Sequence, residues 1–129
     1  MNLNNFTIKS QEAIQQAQQI AAANEQQSIE PAHILKGMME VDENVIPFIL
    51  KKVNANPDVI LNGVDSIIQS YPKVSGGNQY LSEDSNKLVQ KALSYLKTFG
   101  DEYVSVEHLL MSLVAGKEKT SQLDRKSVV

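Results

Sequence analysis

The sequence predicts an all-α domain in which two pseudo-symmetric helical repeats pack as one compact orthogonal bundle. Three observations carry that expectation. First, sliding the 129-residue chain by the interval between its two histidines lays Ile29-Glu30-Pro31-Ala32-His33-Ile34-Leu35 over Val104-Ser105-Val106-Glu107-His108-Leu109-Leu110. The register runs back without a gap, placing Phe6 on Leu81, Thr7 on Ser82, Ser10 on Ser85, Gln15 on Gln90 and Ala17 on Ala92. Second, apolar residues recur at spacings of three and four in both copies, the period of an amphipathic helix. Third, no segment alternates apolar and polar residues long enough to make a strand. Either copy alone would expose its apolar stripe, so the two are expected to close on each other around a pseudo-two-fold axis and share one core.

The first helix of each copy is predicted near 7–23 and 82–98. Ala13, Ile14, Ala17, Ile20 and Ala21 form one stripe, and Leu88, Val89, Ala92, Tyr95 and Leu96 form its counterpart. Thr7 and Ser82 are suited to N-caps because a hydroxyl can accept an otherwise unpaired backbone N–H; Glu83 and Asp84 place negative charge on the positive end of the dipole. The second helices are expected over 30–40 and 105–115. Pro31 fits the first helical position, where its missing N–H costs nothing, and Val106 is its counterpart. Glu30 or Ser105 as N-cap lets Ile29 pack on Ile34 and Val104 on Leu109, a hydrophobic staple. Asn44 to Val53 and Pro57 to Ser70 read as two further helices joined by Asn54-Ala55-Asn56, with Val45, Ile46, Ile49, Leu50 and Val53 on one stripe and Val59, Ile60, Val64, Ile67 and Ile68 on the next. Pro47, about four residues into its helix, predicts a 3₁₀ start or a slight kink. Tyr71 to Gln79, with Pro72 and Gly76-Gly77, shows neither period and reads as a linker in which a few residues are extended. One domain over 1–129 results, with repeat one at 3–70, a linker at 71–80 and a shortened repeat two at 81–129.

Composition excludes several function classes. Twelve Lys+Arg against fifteen Asp+Glu give a net charge of −3, and no cationic face is concentrated for phosphate, which argues against nucleic acid. The absence of Cys removes disulfides, thiolate nucleophiles and sulfur-ligated zinc. No apolar run approaches the ~20 residues of a membrane span, and Met1-Asn2-Leu3-Asn4-Asn5 lacks the basic start and apolar core of a signal peptide, so no membrane association and a cytoplasmic location are expected.

Chemistry-bearing motifs are sparse. Gly76-Gly77 lacks the downstream Gly and Lys of a phosphate cradle. The duplicated histidines could suggest a metal site or a general base, but each falls on the third residue of a helix beside the staple, where an imidazole can bond a cap or backbone group, and further ligands are lacking. Ser10 and Ser85 have no base beside them in the pattern. Gln15-Gln16, Gln18-Gln19 and Gln26-Gln27 read as a solvated helix face, since the apolar stripe runs through them. More informative are the differences between the copies. Leu93 replaces Gln18, Tyr103 replaces Ser28, and Tyr80 and Leu81 close the linker, giving the second copy more apolar rim. Such a rim either fills core gaps or forms a shallow groove for another polypeptide, with Asp101 and Glu107 as an acidic margin around Tyr103.

Phe6-Thr7-Ile8-Lys9-Ser10-Gln11-Glu12-Ala13-Ile14, Ile29 to Leu35, and Gly100-Asp101-Glu102-Tyr103-Val104-Ser105-Val106-Glu107-His108-Leu109-Leu110 resemble the duplicated Clp N-terminal repeat over residues 3 to about 123. Ile-Glu-Pro-x-His and Tyr71-Pro72-Lys73-Val74-Ser75-Gly76-Gly77 are more similar to ClpB-type disaggregases than to ClpA- or ClpC-type unfoldases. The resemblance implies the double Clp-N fold. It also implies a non-catalytic N-terminal domain that binds unfolded or aggregated polypeptides and passes them to a hexameric AAA+ motor working with the DnaK chaperone system. No cofactor is expected in this chain, and ATP with magnesium would belong to the AAA+ modules. By position, the resemblance carries client contact to Thr7, Asp101 and Glu107 as polar groups, with Leu93 and Tyr95 as apolar wall beside Tyr103. The alternative within the family is an adaptor-docking domain of the ClpC or ClpA kind, which recognises one folded partner.

In the repeat register, the second copy should continue well past residue 123 with counterparts of Asn44–Val53 and Pro57–Ser70, whereas Ser121-Gln122-Leu123-Asp124-Arg125-Lys126-Ser127-Val128-Val129 stops short. The expectation is a monomeric fragment of a longer protein.

Overall fold

The computed structural model describes residues 3–74 and 76–116. Six helices and two very short strands follow in the order α1 (Ile8–Ala23), β1 (Ser28–Ile29), α2 (Pro31–Val41), α3 (Val45–Lys52), α4 (Pro57–Ser70), β2 (Tyr80–Leu81), α5 (Glu83–Phe99) and α6 (Val106–Ala115). The expected continuation of repeat two lies outside the described residues.

The helix starts obey local rules. Thr7 and Ser82 accept the backbone N–H of Ser10 and Ser85, three residues on, at 3.2 and 3.0 Å. Asn56 caps α4 by accepting from Asp58 and Val59, with Pro57 at the first helical position. The kink expected at Pro47 is corrected. Asp42 Oδ1 accepts the N–H groups of Asn44 and Val45, so α3 begins at Val45 and Pro47 falls in its first turn, where no intrahelical N–H is required.

The expectation of no strand is also amended, in a way that explains how the repeats join. β1 and β2 pair in parallel, Ser28 with Tyr80 and Ile29 with Leu81, and a separate parallel bridge joins Phe6 to Val104. In the repeat register Leu81 is Phe6 and Val104 is Ile29, so the two pairings are one interaction repeated about the pseudo-dyad. Each repeat lends its entry segment to the other. The buried hydroxyls obey the same rule: Ser10 Oγ donates to the Val104 carbonyl and Ser85 Oγ to the Ile29 carbonyl, both at 2.6 Å.

One continuous core results. From α1, Ala13, Ile14, Ala17, Ile20 and Ala21 are buried together with Ile34, Leu35 and Met38 of α2, Leu88, Val89 and Ala92 of α5, and Leu109 and Leu113 of α6. The stripes of α3 and α4 are narrower than the sequence suggests: Ile46 and Leu50, then Ile60, Val64 and Ile68, are buried, whereas Val53 and Val59 face solvent. Residues four apart lie on one face of a helix, so in each case the buried positions form a single i, i+4 row.

Candidate functional site

The turn between α5 and α6 is built by backbone geometry. Gly100 adopts φ 70°, and the Asp101 N–H then bonds the Leu96 carbonyl at 2.9 Å, closing α5. The same position in repeat one is Glu25, at φ 56°, so both copies demand a left-handed residue there. This reversal brings Asp101 to the histidine of the next helix, where His108 Nε2 donates to Asp101 Oδ2 at 2.8 Å. On its other side the ring accepts through Nδ1 from the Ser105 N–H at 2.9 Å.

Repeat one shows the same device with one substitution. The Glu30 N–H donates to His33 Nδ1 at 2.9 Å, and His33 Nε2 bonds Gln26 Oε1 at 2.7 Å. Gln26 occupies the repeat position of Asp101. Because Nδ1 accepts a backbone N–H in both copies, the proton of each neutral ring sits on Nε2. Burial, reinforced by the Lys36 charge, lowers His33 to about 4. The histidines therefore tie the turn before each second helix to its N-cap, the structural role their placement suggested. Among the described residues, no group of three or more histidine or carboxylate side chains is placed to hold a metal ion.

Thr7 reaches the second turn through the cross-repeat bridge, its N–H bonding the Val104 carbonyl at 2.9 Å. An open groove of about 630 Å³ follows, lined by Thr7 together with Phe99, Asp101, Tyr103, Glu107 and Met111. Phe99 and Tyr103 are 54% and 52% exposed, large values for rings inside a fold of this size. Four of the residues marked from the sequence, Thr7, Asp101, Tyr103 and Glu107, are thus brought together. Tyr95 lies one layer beneath, its ring 6.5 Å from that of His108 and 5.9 Å from that of Phe99. Leu93 is half-buried against the core and does not line the groove. Phe99 and Met111 were missed, although each replaces a polar residue of repeat one, Asn24 and Lys36, and the register alone would have marked them.

Two repeats that exchange entry segments about a pseudo-dyad, over one shared core, define a duplicated-repeat helical domain of the Clp type. The chain belongs to the Clp repeat (R) N-terminal domain family, whose model matches residues 5–126. It is 52% identical to the chaperone protein ClpB of Bacteroides thetaiotaomicron over 123 residues, 95% of this chain and 14% of that protein. It is 41% identical to ClpB of Porphyromonas gingivalis over the same share of each. The chain thus spans about one seventh of the length of these relatives. Among solved structures, the Hsp104 N-terminal domain from Candida albicans superposes with a TM-score of 0.85 at 16% identity, covering 96% of this chain and 82% of that one. The N-terminal domain of the ClpV1 ATPase from E. coli gives 0.80 at 20% identity, covering 97% and 85%. These likenesses establish the fold.

Proposed function

We propose that the chain is the client-recognition domain of a ClpB-like ATP-dependent disaggregase, holding unfolded or aggregated polypeptide in the groove between its repeats. The observation that carries this reading is the convergence of Thr7, Asp101, Tyr103 and Glu107, up to 100 residues apart in sequence, on one open groove with apolar walls and an acidic margin. Rings presented beside carboxylates suit segments that mix apolar and basic side chains. Ser105 Oγ lies 3.1 Å from His108 Nδ1 in the groove wall, but the hydroxyl accepts the His108 N–H and that ring nitrogen accepts the Ser105 N–H, so the pair serves the cap of α6 and the reading is one of reversible burial. In this reading, ATP hydrolysis with magnesium, the hexamer and cooperation with DnaK belong to the remainder of a longer protein.

Titration of a reduced, alkylated model polypeptide into the isotope-labelled 129-residue chain is expected to shift resonances of Phe99, Asp101 and Tyr103. Tyr103→Ala is expected to weaken that binding several-fold with the fold intact, since truncating a central aromatic anchor costs about 1–2 kcal/mol. Binding should survive 0.5 M salt, because apolar burial is not screened. Unshifted groove resonances at saturating polypeptide would overturn the reading.

A further inference from the structure

α3 carries more apolar surface than its neighbours cover. Six apolar residues follow one another from Val45 to Leu50, and the helix packs on α2 and α4 of its own repeat. Of its residues, Ile46 and Leu50 are buried. Successive helical residues turn by about 100°, so Phe48 stands opposite that buried row, with Val45 and Lys52 beside it. Phe48 is accordingly 59% exposed and Val45 36%. Lys52 Nζ lies 5.3 Å from the centre of the Phe48 ring, so cation and ring share the outer face. A helix that is apolar nearly all round calls for a cover on its outer side. The pseudo-dyad relates α2 to α6, so a counterpart of α3 in repeat two belongs beside α6 and not on this face.

The charges of α3 are ordered along its axis. Glu43 precedes the N-cap Asn44, Lys51 and Lys52 end the helix, and all three are exposed. Glu43 lies five residues before Phe48 and Lys52 four after it, which puts the ring near the midpoint between opposite charges. We infer that α3 is a self-pairing surface, whose partner is α3 of a second copy laid antiparallel across a two-fold axis at Phe48. Such an axis brings the two Phe48 rings and the two Val45 side chains into one apolar strip, and it sets Glu43 of each copy against Lys52 of the other. A parallel pair would put lysine on lysine and glutamate on glutamate, and like charges face to face repel, so charge selects the antiparallel pair. A different partner would have to carry this order of charges in reverse, whereas α3 is its own complement. The pairing is weak: a helix of eight residues is ~12 Å long, and its outer face falls well short of the ~800 Å² per partner of a standard interface. It departs from the monomer expected from the sequence and gains weight where copies are tethered together, since tethering raises their effective concentration to about the millimolar range. It uses none of the groove residues and stands independently of the client-binding reading.

Sedimentation equilibrium of the 129-residue chain from ~20 µM to ~1 mM tests this pairing. The parent is expected to show a monomer–dimer equilibrium with a dissociation constant on the order of 0.1–1 mM, and Phe48→Ser, at an exposed position, is expected to weaken it at least about tenfold. Glu43→Lys and Lys52→Glu should each weaken self-association by at least about fivefold, because every dimer of such a variant holds two like-charge contacts. Mixed in equal amounts, these two variants should associate about as tightly as the parent, since each contact between them again joins opposite charges. Recovery on mixing cannot come from a change in folding. The inference is overturned if the parent stays monomeric at ~1 mM, if Phe48→Ser associates as tightly as the parent, or if the mixture associates no more tightly than either charge variant alone. Each of those results leaves the client-binding reading standing, because that reading is tested by polypeptide binding at Phe99, Asp101 and Tyr103.

Discussion

His33 shows how one buried side chain links fold to solution conditions. Its ring is sealed from water, its Nδ1 is committed to the Glu30 N–H, and burial with the nearby Lys36 lowers it from an ordinary 6.5 to about 4. Folded His33 thus refuses a proton that the unfolded chain accepts once the pH falls below about 6.5. Stability from this residue is complete above that pH and is lost as pH drops toward about 4, by ~3 kcal/mol across the window. Urea midpoints at pH 7 and pH 4.5 should differ by more in the parent chain than in His33→Gln, which cannot titrate; equal differences would show that His33 does not carry the effect. At the same scale, the left-handed position after each first helix is met by Gly100 at no steric cost and by Glu25 at about 1 kcal/mol. Gln26 and Asp101 lie one residue further on. Their exchange leaves one histidine tie sealed and puts a carboxylate at the rim of the groove.

The two hairpins of helices are related by the register but packed differently. Gly37 allows α2 to sit so close to α1 that an added Cβ would lie 2.5 Å from the Ala13 carbonyl oxygen. The equivalent of Gly37 is Ser112, whose hydroxyl donates instead to the Leu88 carbonyl at 2.6 Å, and Leu88 is the equivalent of Ala13. One hairpin closes by direct backbone approach and the other through a hydroxyl that occupies the gap. Gly37→Ala should therefore destabilise the domain by about 2 kcal/mol, although alanine is the better helix former by ~1 kcal/mol, because backbone cannot yield to the new methyl. A denaturation midpoint raised by this substitution would contradict the packing described. Ser112→Ala should cost only about 1 kcal/mol, the net value of one buried hydrogen bond. The helices themselves were legible in the sequence to within about two residues, since caps and 3.6-residue periodicity act over a single turn.

At the scale of the whole molecule, the repeats are held together by what crosses between them. Residues 1–74 alone would lose the Phe6–Val104 bridge, the Ile29–Leu81 pair and both buried serine bonds, and would expose the faces of α1 and α2 that meet α5 and α6. That piece is expected to melt without a cooperative transition by circular dichroism, whereas the whole chain melts cooperatively. A sharp transition in residues 1–74 would show each repeat to be self-sufficient. The linker follows the same logic, packing back on repeat one through Val74 N–H to the Glu25 carbonyl at 2.8 Å and Gln79 Nε2 to the Gln18 carbonyl at 2.9 Å.

By itself the sequence determined the duplication, the six described helices, most of the core and the structural standing of the two histidines, because all of these are written in local spacing and in a register that one alignment reveals. The place of Thr7 in the groove was legible only through resemblance: nothing local connects it with Asp101 and Glu107, about a hundred residues away. Two-residue strands carry no period, so their exchange between repeats was invisible, and with it the reason Thr7 stands at the second turn. Only the tertiary structure decided that Tyr95 lies beneath the groove and Leu93 outside it, and that α4 lies along α2. Periodicity tells which face of a helix is apolar; which neighbour covers that face depends on the path of the chain in space.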